Sequence, residues 1–314
     1  MIFIFLSALI VSLILTFPLF GILKFFGVGQ PVRAEGPASH EKKAGTPTMG
    51  GLGFLVTIIA FTLILIDVEL RSAYLALVIL MAAFAGIGLA DDLLKVIRKR
   101  NLGLTFWEKI VLQVLAAGAF ASYLTFLGYN LSLTGALAKM GFANPYLYQL
   151  LVIFFVVGFA NAANLTDGLN GLLAGTAGIA FLALAVLSAN FLHIGNAAVF
   201  SLAAAGAVLA FLYYNFPAGR IFMGDVGSLP VGAGLAGLVF IIHQELRLVI
   251  IGGIFVAEAL SVIIQVTSYK LFKRRVFKMT PLHHHFELLG IREQIVVVGF
   301  WAVGIILGIT GLWI

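Results

Sequence analysis

The residues N-A-A-N-L-T-D-G-L-N-G, Asn161 to Gly171, lie between two apolar runs, Leu147–Ala160 and Leu172–Leu192. Both runs read as membrane spans. Three Asn, one Thr, one Asp and two Gly in eleven positions are incompatible with chain that faces hydrocarbon, where no water satisfies polar groups. This stretch must face water, a ligand or other protein. It therefore implies a membrane bundle whose chemistry sits where spans end.

The rest of the chain supports that reading. Of its 314 residues, 62% are hydrophobic and 10% charged, against about 25% charged in a soluble domain. The apolar residues come in runs of about twenty, the length that crosses a bilayer as a helix. The runs are continuous rather than alternating, which argues against a barrel. There is no cysteine, so disulfides and thiolate metal sites are excluded. The first run, Ile2–Phe26, lacks a basic start and exceeds a signal peptide's apolar region, so it is expected to be a retained span. Residues 1–314 are expected to form a single integral membrane domain, an all-α polytopic fold, with no nucleic-acid partner.

Ten spans are expected: Ile2–Phe26, Gly50–Ile66, Ser72–Ala90, Ile110–Leu127, Leu147–Ala163, Leu172–Leu192, Ala197–Tyr214, Leu229–Ile242, Leu248–Leu271 and Ile295–Ile314. The loops after odd-numbered spans, with adjoining span ends, hold sixteen Lys and Arg, and the even-numbered loops hold three. The positive-inside rule then puts the odd loops in the cytoplasm and both termini on the outer face. Asp91, Asp92, Asp167, Asp225 and His283–His285 all fall on the cytoplasmic side, so the active site is expected there.

Five cytoplasmic stretches carry the polar chemistry. The first loop, S-H-E-K-K-A-G-T-P-T-M-G-G from Ser39, brings Lys42 and Lys43 within reach of phosphates or of anionic lipid. The second opens L-A-D-D-L-L-K, where Asp91 and Lys95 are i,i+4 neighbours and Asp92 points about 100° away. In the third, Asn161, Asn164 and Asp167 recur every three residues and make one polar stripe on a helix, although Asn and Asp beside Gly also form ordinary turns. The fourth, N-F-P-A-G-R-I-F-M-G-D-V-G-S-L-P, sets Asp225 between glycines that suit close approach of a ligand or metal. It precedes a short span whose thickness the irregular segment is expected to complete. The fifth, T-P-L-H-H-H-F-E, offers His283–His285 as hydrogen-bond donors to an anion rather than as a zinc site, since adjacent side chains diverge and no thiolate is present. Within span nine, Gln265 lies one turn from the cytoplasmic end and Glu258 lies deeper. Gly304 and Gly308 form a GxxxG pair that permits close packing and a homodimer.

Four aspartates with asparagines, lysines and histidines, and no P-loop or Ser–His–Asp order, suit a hard divalent cation, magnesium or manganese, and phosphate oxygens. Together they point to metal-assisted phosphoryl transfer at a membrane surface, with a polar substrate from the cytosol and an apolar one from the bilayer. The alternative class is a transporter of an anionic substrate. It would keep its site near the midplane and lead polar groups to both faces. Here the outer half is nearly bare apart from Glu258.

In this order the five segments, with A-D-D-L-L-K, N-A-A-N-L-T-D-G-L-N-G and T-P-L-H-H-H-F-E among them, resemble the phospho-N-acetylmuramoyl-pentapeptide transferase family, within the polyprenyl-phosphate N-acetylhexosamine-1-phosphate transferase superfamily. The resemblance spans essentially the whole chain. It implies ten transmembrane helices, a homodimer in the bacterial cytoplasmic (inner) membrane, and transfer from UDP-N-acetylmuramoyl-pentapeptide to undecaprenyl phosphate with magnesium, giving lipid I and UMP. The T-P-L-H-H-H-F-E segment separates it from the sister family that uses UDP-N-acetylglucosamine.

Carried over by motif, the resemblance makes Asp225 the magnesium ligand, Asp91 and Asp92 the catalytic pair, and Asp167 a further catalytic aspartate. Lys43, Thr48, Lys95, Lys109, Asn164, Asn170, Asn215, Phe222, Gln265, His284 and His285 fall at positions lining the nucleotide and sugar–phosphate site, with Phe222 offering a face to uracil. The family pattern reads D-G-x-D-G, and here Asn170 replaces the second Asp. Two mechanisms are open: attack by an aspartate through a covalent phospho-enzyme, or direct attack by the lipid phosphate. Direct attack is preferred, because a phosphate monoester with a second pKa of about 6 is largely dianionic at neutral pH.

Overall fold

The computed structural model describes residues 1–27, 29, 45–67, 71–98, 102–129 and 144–314. Among them are twelve α-helices and no β-strand, only an isolated bridge between Gly29 and Pro47. The helices are α1 (Ile2–Phe25), α2 (Gly51–Leu65), α3 (Arg71–Arg98), α4 (Phe106–Phe126), α5 (Pro145–Thr166), α6 (Leu172–Val186), α7 (Gly195–Asn215), α8 (Asp225–Ile241), α9 (Glu245–Ile251), α10 (Gly253–Phe272), α11 (Leu282–Leu288) and α12 (Glu293–Trp313). Eight are long and apolar enough to cross a bilayer. Two shorter apolar helices, Gly51–Leu65 and Asp225–Ile241, fall where two further spans are expected. The chain is an all-α polytopic membrane protein.

Helix α8 is the axis, and each of its residues is buried. Hydrocarbon gives helices no hydrophobic reason to associate, so close backbone approach and interhelical hydrogen bonds must do it. The α8 sequence supplies the approach. A side chain at Gly232 would collide with the Phe159 backbone of α5, and one at Gly234 or Gly237 would press on Met81 or Leu77 of α3. The helix starts at Asp225 itself and is sheathed by protein along its whole length, so it need not match the bilayer alone.

Around this axis, α1 is tied to α7 by two hydrogen bonds. Ser12 Oγ donates to Ala207 O at 2.9 Å and Tyr214 OH donates to Leu13 O at 2.9 Å. Helices α1, α4 and α12 turn Phe3, Phe17, Phe126 and Ile306 outward, where they meet lipid.

Three features depart from the expected spans. The ninth is interrupted at Gly252 into α9 and α10, where the Phe159 ring occupies the space a side chain would need. Helix α6 ends in a π-helical turn, Leu187–Phe191. The last polar loop contains the short helix α11.

Candidate functional site

The polar stretches meet at one end of the bundle. Helix α5 runs through Thr166, so Asn161 and Asn164 do lie on one helical stripe. Asn161 Nδ2 donates to Gln113 Oε1 of α4 at 2.6 Å. Asn164 Nδ2, one turn on, donates to Asp225 Oδ1 at 2.8 Å and to Ser228 Oγ at 2.9 Å. Asp167 ends the helix, and Gly171, with φ of 81°, turns the chain into α6.

Asp225 opens α8 after Gly224, whose φ of 74° only glycine adopts readily. The helix N-terminus favours a negative charge there. Helix α3 reaches it closely because a Cβ at Gly88 would strike the Asp225 backbone. That contact brings Asp91 and Asp92 alongside, and Asp92 Oδ2 accepts from Val226 N at 3.1 Å. One oxygen from each of Asp91, Asp92 and Asp225 lies within 4.8 Å of the others.

Two ammonium groups stand in this cluster. Lys95 Nζ is 2.5 Å from Asp91 Oδ2 and 3.5 Å from both Asp92 Oδ1 and Asp225 Oδ2. Lys109 Nζ is 2.6 Å from Asp225 Oδ2 and 3.2 Å from Asp91 Oδ1. Lys109 is aimed by the start of α4. Thr105 and Glu108 exchange hydrogen bonds in a capping box, and the preceding Leu104 N donates to Asp91 Oδ1 at 2.9 Å.

Asp167 is half-buried beside the cluster. Its carboxyl is held well above the ordinary carboxylate range, first by burial and then by the Asp225 and Asp92 charges. Thr48 joins from the first loop, which is zipped to the fourth: Phe222 N donates to Pro47 O at 2.8 Å and Gly50 N to Phe222 O at 2.9 Å. Thr48 Oγ1 is buried without a hydrogen-bond partner among the described residues, close against Gly224. Phe222 is half-buried. Lys43 lies outside the described residues.

Other residues expected to line the ligand make hydrogen bonds within the protein. Asn215 Oδ1 accepts from Gly171 N, and its Nδ2 donates to Ile221 O at 2.8 Å, so it clasps the third loop to the fourth. Asn170 packs against Gly219 and donates to Pro217 O at 3.3 Å. Gln265 is bonded through both amide atoms to the backbone of Val276 and Phe277. His285 Nδ1 accepts from Lys278 N at 3.1 Å, which puts the proton of the neutral ring on Nε2. His284 Nδ1 is 2.7 Å from Glu287 Oε2. His283, expected to face an anion with its neighbours, is instead fully buried against Glu258. Its ring enters the bundle because α11 begins one residue earlier and turns this side chain inward.

Gln113, Ser228 and Glu293 support the site and do not stand out in the sequence. Gln113 is a lone amide in an apolar run, and Ser228 lies one turn after Asp225. Glu293 Oε1 accepts from Asn170 N at 2.9 Å from a helix far along the chain, which no local pattern reveals.

The cluster presents hard oxygen donors to a divalent cation, and lysines to phosphate. Comparisons with known proteins agree with that chemistry. Residues 74–243 match the model of Glycosyl transferase family 4. The phospho-N-acetylmuramoyl-pentapeptide-transferase of Bacillus licheniformis is 45% identical over 295 residues, covering 93% of this chain and 90% of that protein. Its Bacillus subtilis counterpart is 42% identical over 311 residues, covering 98% and 96%. That of Geobacillus kaustophilus is 47% identical over 294 residues, covering 93% and 90%. The chain belongs to the phospho-N-acetylmuramoyl-pentapeptide-transferase family.

Proposed function

We propose that this protein is a phosphotransferase that moves phospho-N-acetylmuramoyl-pentapeptide from its UDP carrier to undecaprenyl phosphate in a bacterial cytoplasmic membrane. The carboxylate cluster of Asp91, Asp92 and Asp225, crossed by Lys95 and Lys109, is the observation that carries this reading. It is the charge pattern a diphosphate and its cation need, and a transporter has no use for it at one end of the bundle. The positive-inside count supports a cytoplasmic position for that end, where the nucleotide is, and, with ten spans, an outer position for both termini.

In the reaction, an oxygen of the lipid phosphate attacks the sugar-bearing phosphorus. The bond from that phosphorus to the bridging oxygen breaks, and UMP leaves with the bridging oxygen. The donor set is all carboxylate oxygen, which fits magnesium, and Asp225 with Asp91 and Asp92 would hold it. When bound, magnesium neutralises diphosphate charge and polarises the phosphorus. Lys95 and Lys109 take the remaining phosphate charge. Asp91 holds both ammonium groups in place, and Asn164 holds Asp225. Asp167, with its raised affinity for a proton, stands where it can orient the attacking phosphate. Thr48, Phe222, His284, His285 and Lys43 belong to the nucleotide and sugar–phosphate subsites.

Direct attack is favoured over a phospho-enzyme. Asp91 receives Leu104 N and both lysines, and Asp92 accepts from Val226 N on Oδ2 with Lys95 3.5 Å from Oδ1, so charge and hydrogen bonding damp the nucleophilicity of both carboxylates. The test is UMP release by purified protein, with and without undecaprenyl phosphate and magnesium. Release from UDP-N-acetylmuramoyl-pentapeptide should require both. Preference for UDP-N-acetylglucosamine would move the protein to the sister activity, and a phospho-sugar adduct trapped on Asp91 or Asp92 would replace direct attack.

A further inference from the structure

Glu258 and His283 are titratable, wholly buried, and without a task in the reaction above; each is 0% exposed. His283 N donates to Glu258 Oε1 at 3.3 Å, and His283 Nδ1 lies 3.2 Å from the same oxygen. The opposite edge of the ring rests on the third polar loop. A Cβ at Gly168 would collide with His283 Nε2. Neither ring nitrogen, nor Glu258 Oε2, has a hydrogen-bond partner among the described residues, so Nδ1 and Oε1 meet as a close electrostatic contact. Gly168 directly follows Asp167, and the His284 ring centroid is 4.2 Å from that of His283.

A carboxylate buried in an apolar bundle is costly and calls for a function. One that faces a single imidazole nitrogen fixes both ring orientation and tautomer. We propose that Glu258 and His283 form a positioning couple for the transfer reaction. Glu258 holds the ring with its proton on Nδ1, and the Nε2 edge seats the Asp167–Gly168 turn. The couple thereby sets where the Asp167 carboxyl stands against Asp225 and Asp92, and ties α11, with His284 and His285, to the same reference point. The inference rests on the transferase reading, because turnover is one of its readouts.

Glu258→Gln separates this from a purely structural strut. The amide oxygen still accepts from His283 N, so α11 stays anchored and the volume is unchanged. The same oxygen faces Nδ1 but no longer carries a charge, so the preference of the ring proton for Nδ1 over Nε2 weakens. The expected result is a fall in kcat of about 10- to 100-fold, the usual range for groups that orient a site residue. KM for the nucleotide substrate should stay within about twofold, and the ¹⁵N signals of His283 should move from the Nδ1–H pattern toward the Nε2–H pattern. Gly168→Ala, which pushes the ring away without altering Glu258, should show the same split, and it decides the matter if the Gln variant does not fold. A kcat within twofold of wild type in the folded variant overturns the proposal. If the wild-type protein releases no UMP at all, the transferase reading falls instead, and the nitrogen signals alone then decide whether the couple exists.

Discussion

Lys109 Nζ stands 2.6 Å from Asp225 Oδ2, inside the carboxylate cluster that a divalent cation would use. The ammonium and the cation draw on the same oxygen. Lys109→Gln removes one positive charge from that competition and one from the substrate diphosphate. The half-saturating magnesium concentration should fall about tenfold, equivalent to about 1.4 kcal/mol, a modest fraction of a close charge pair at protein-like dielectric. At the same time kcat should fall about 100-fold, as expected when a charge-stabilising donor is lost. Magnesium titration of UMP release checks both. An unchanged magnesium requirement would mean that Lys109 does not compete for Asp225.

Asp225→Asn leaves an oxygen to accept from Asn164 but removes the charge and a cation-binding oxygen. Turnover should drop by about 10³-fold or more, the scale of losing a principal electrostatic element. Helix content and apparent melting temperature should stay near wild type. Near-normal turnover in the purified, folded variant would remove Asp225 from the metal site.

Much of this site is legible in the sequence because it is local. The three-residue spacing of Asn161, Asn164 and Asp167 is helical, and the structure uses the first two as a stripe along α5 and the third as its end. Asp91 and Lys95 pair as i,i+4 neighbours should. What the sequence hides is tertiary. The Phe159 ring of α5 packs on Gly252 between α9 and α10, and apolar periodicity carries no trace of that contact. Three adjacent histidines look equivalent in sequence, yet only His283 meets Glu258, 25 positions away on another helix. Asn215 and Gln265 have the chemistry of ligand-binding amides, and the bonds they make to the backbone of neighbouring loops leave no local pattern in the sequence.

Asn170 is where this chain departs from the D-G-x-D-G pattern, and its surroundings suit the amide. Its Nδ2 donates to Pro217 O, the residue is buried against Gly219, and Glu293 already binds its backbone. Asn170→Asp would turn a donor into a second acceptor facing a carbonyl, at a cost of about 1–3 kcal/mol. Turnover should stay within about twofold of wild type while the apparent melting temperature falls. A severalfold gain in kcat would show that this position acts through its charge on the substrate.

At the other end of the bundle, Glu245 is buried at the start of α9, and its Oε1 has no hydrogen-bond partner among the described residues. Burial pushes its carboxyl from the ordinary 4.5 up to about 7. A raised pKa in the folded state means that folding favours the protonated form. The associated stability is complete below about pH 4.5 and is lost as pH rises through 7. A shift of this size corresponds to about 3 kcal/mol. Glu245→Gln stays neutral at every pH and keeps the shape. In detergent at a fixed scan rate, variant and wild type should melt together at about pH 5, and by about pH 8 the wild type should melt several degrees lower. If both proteins keep the same separation across that range, Glu245 has found a charge partner when ionised and burial does not govern its titration.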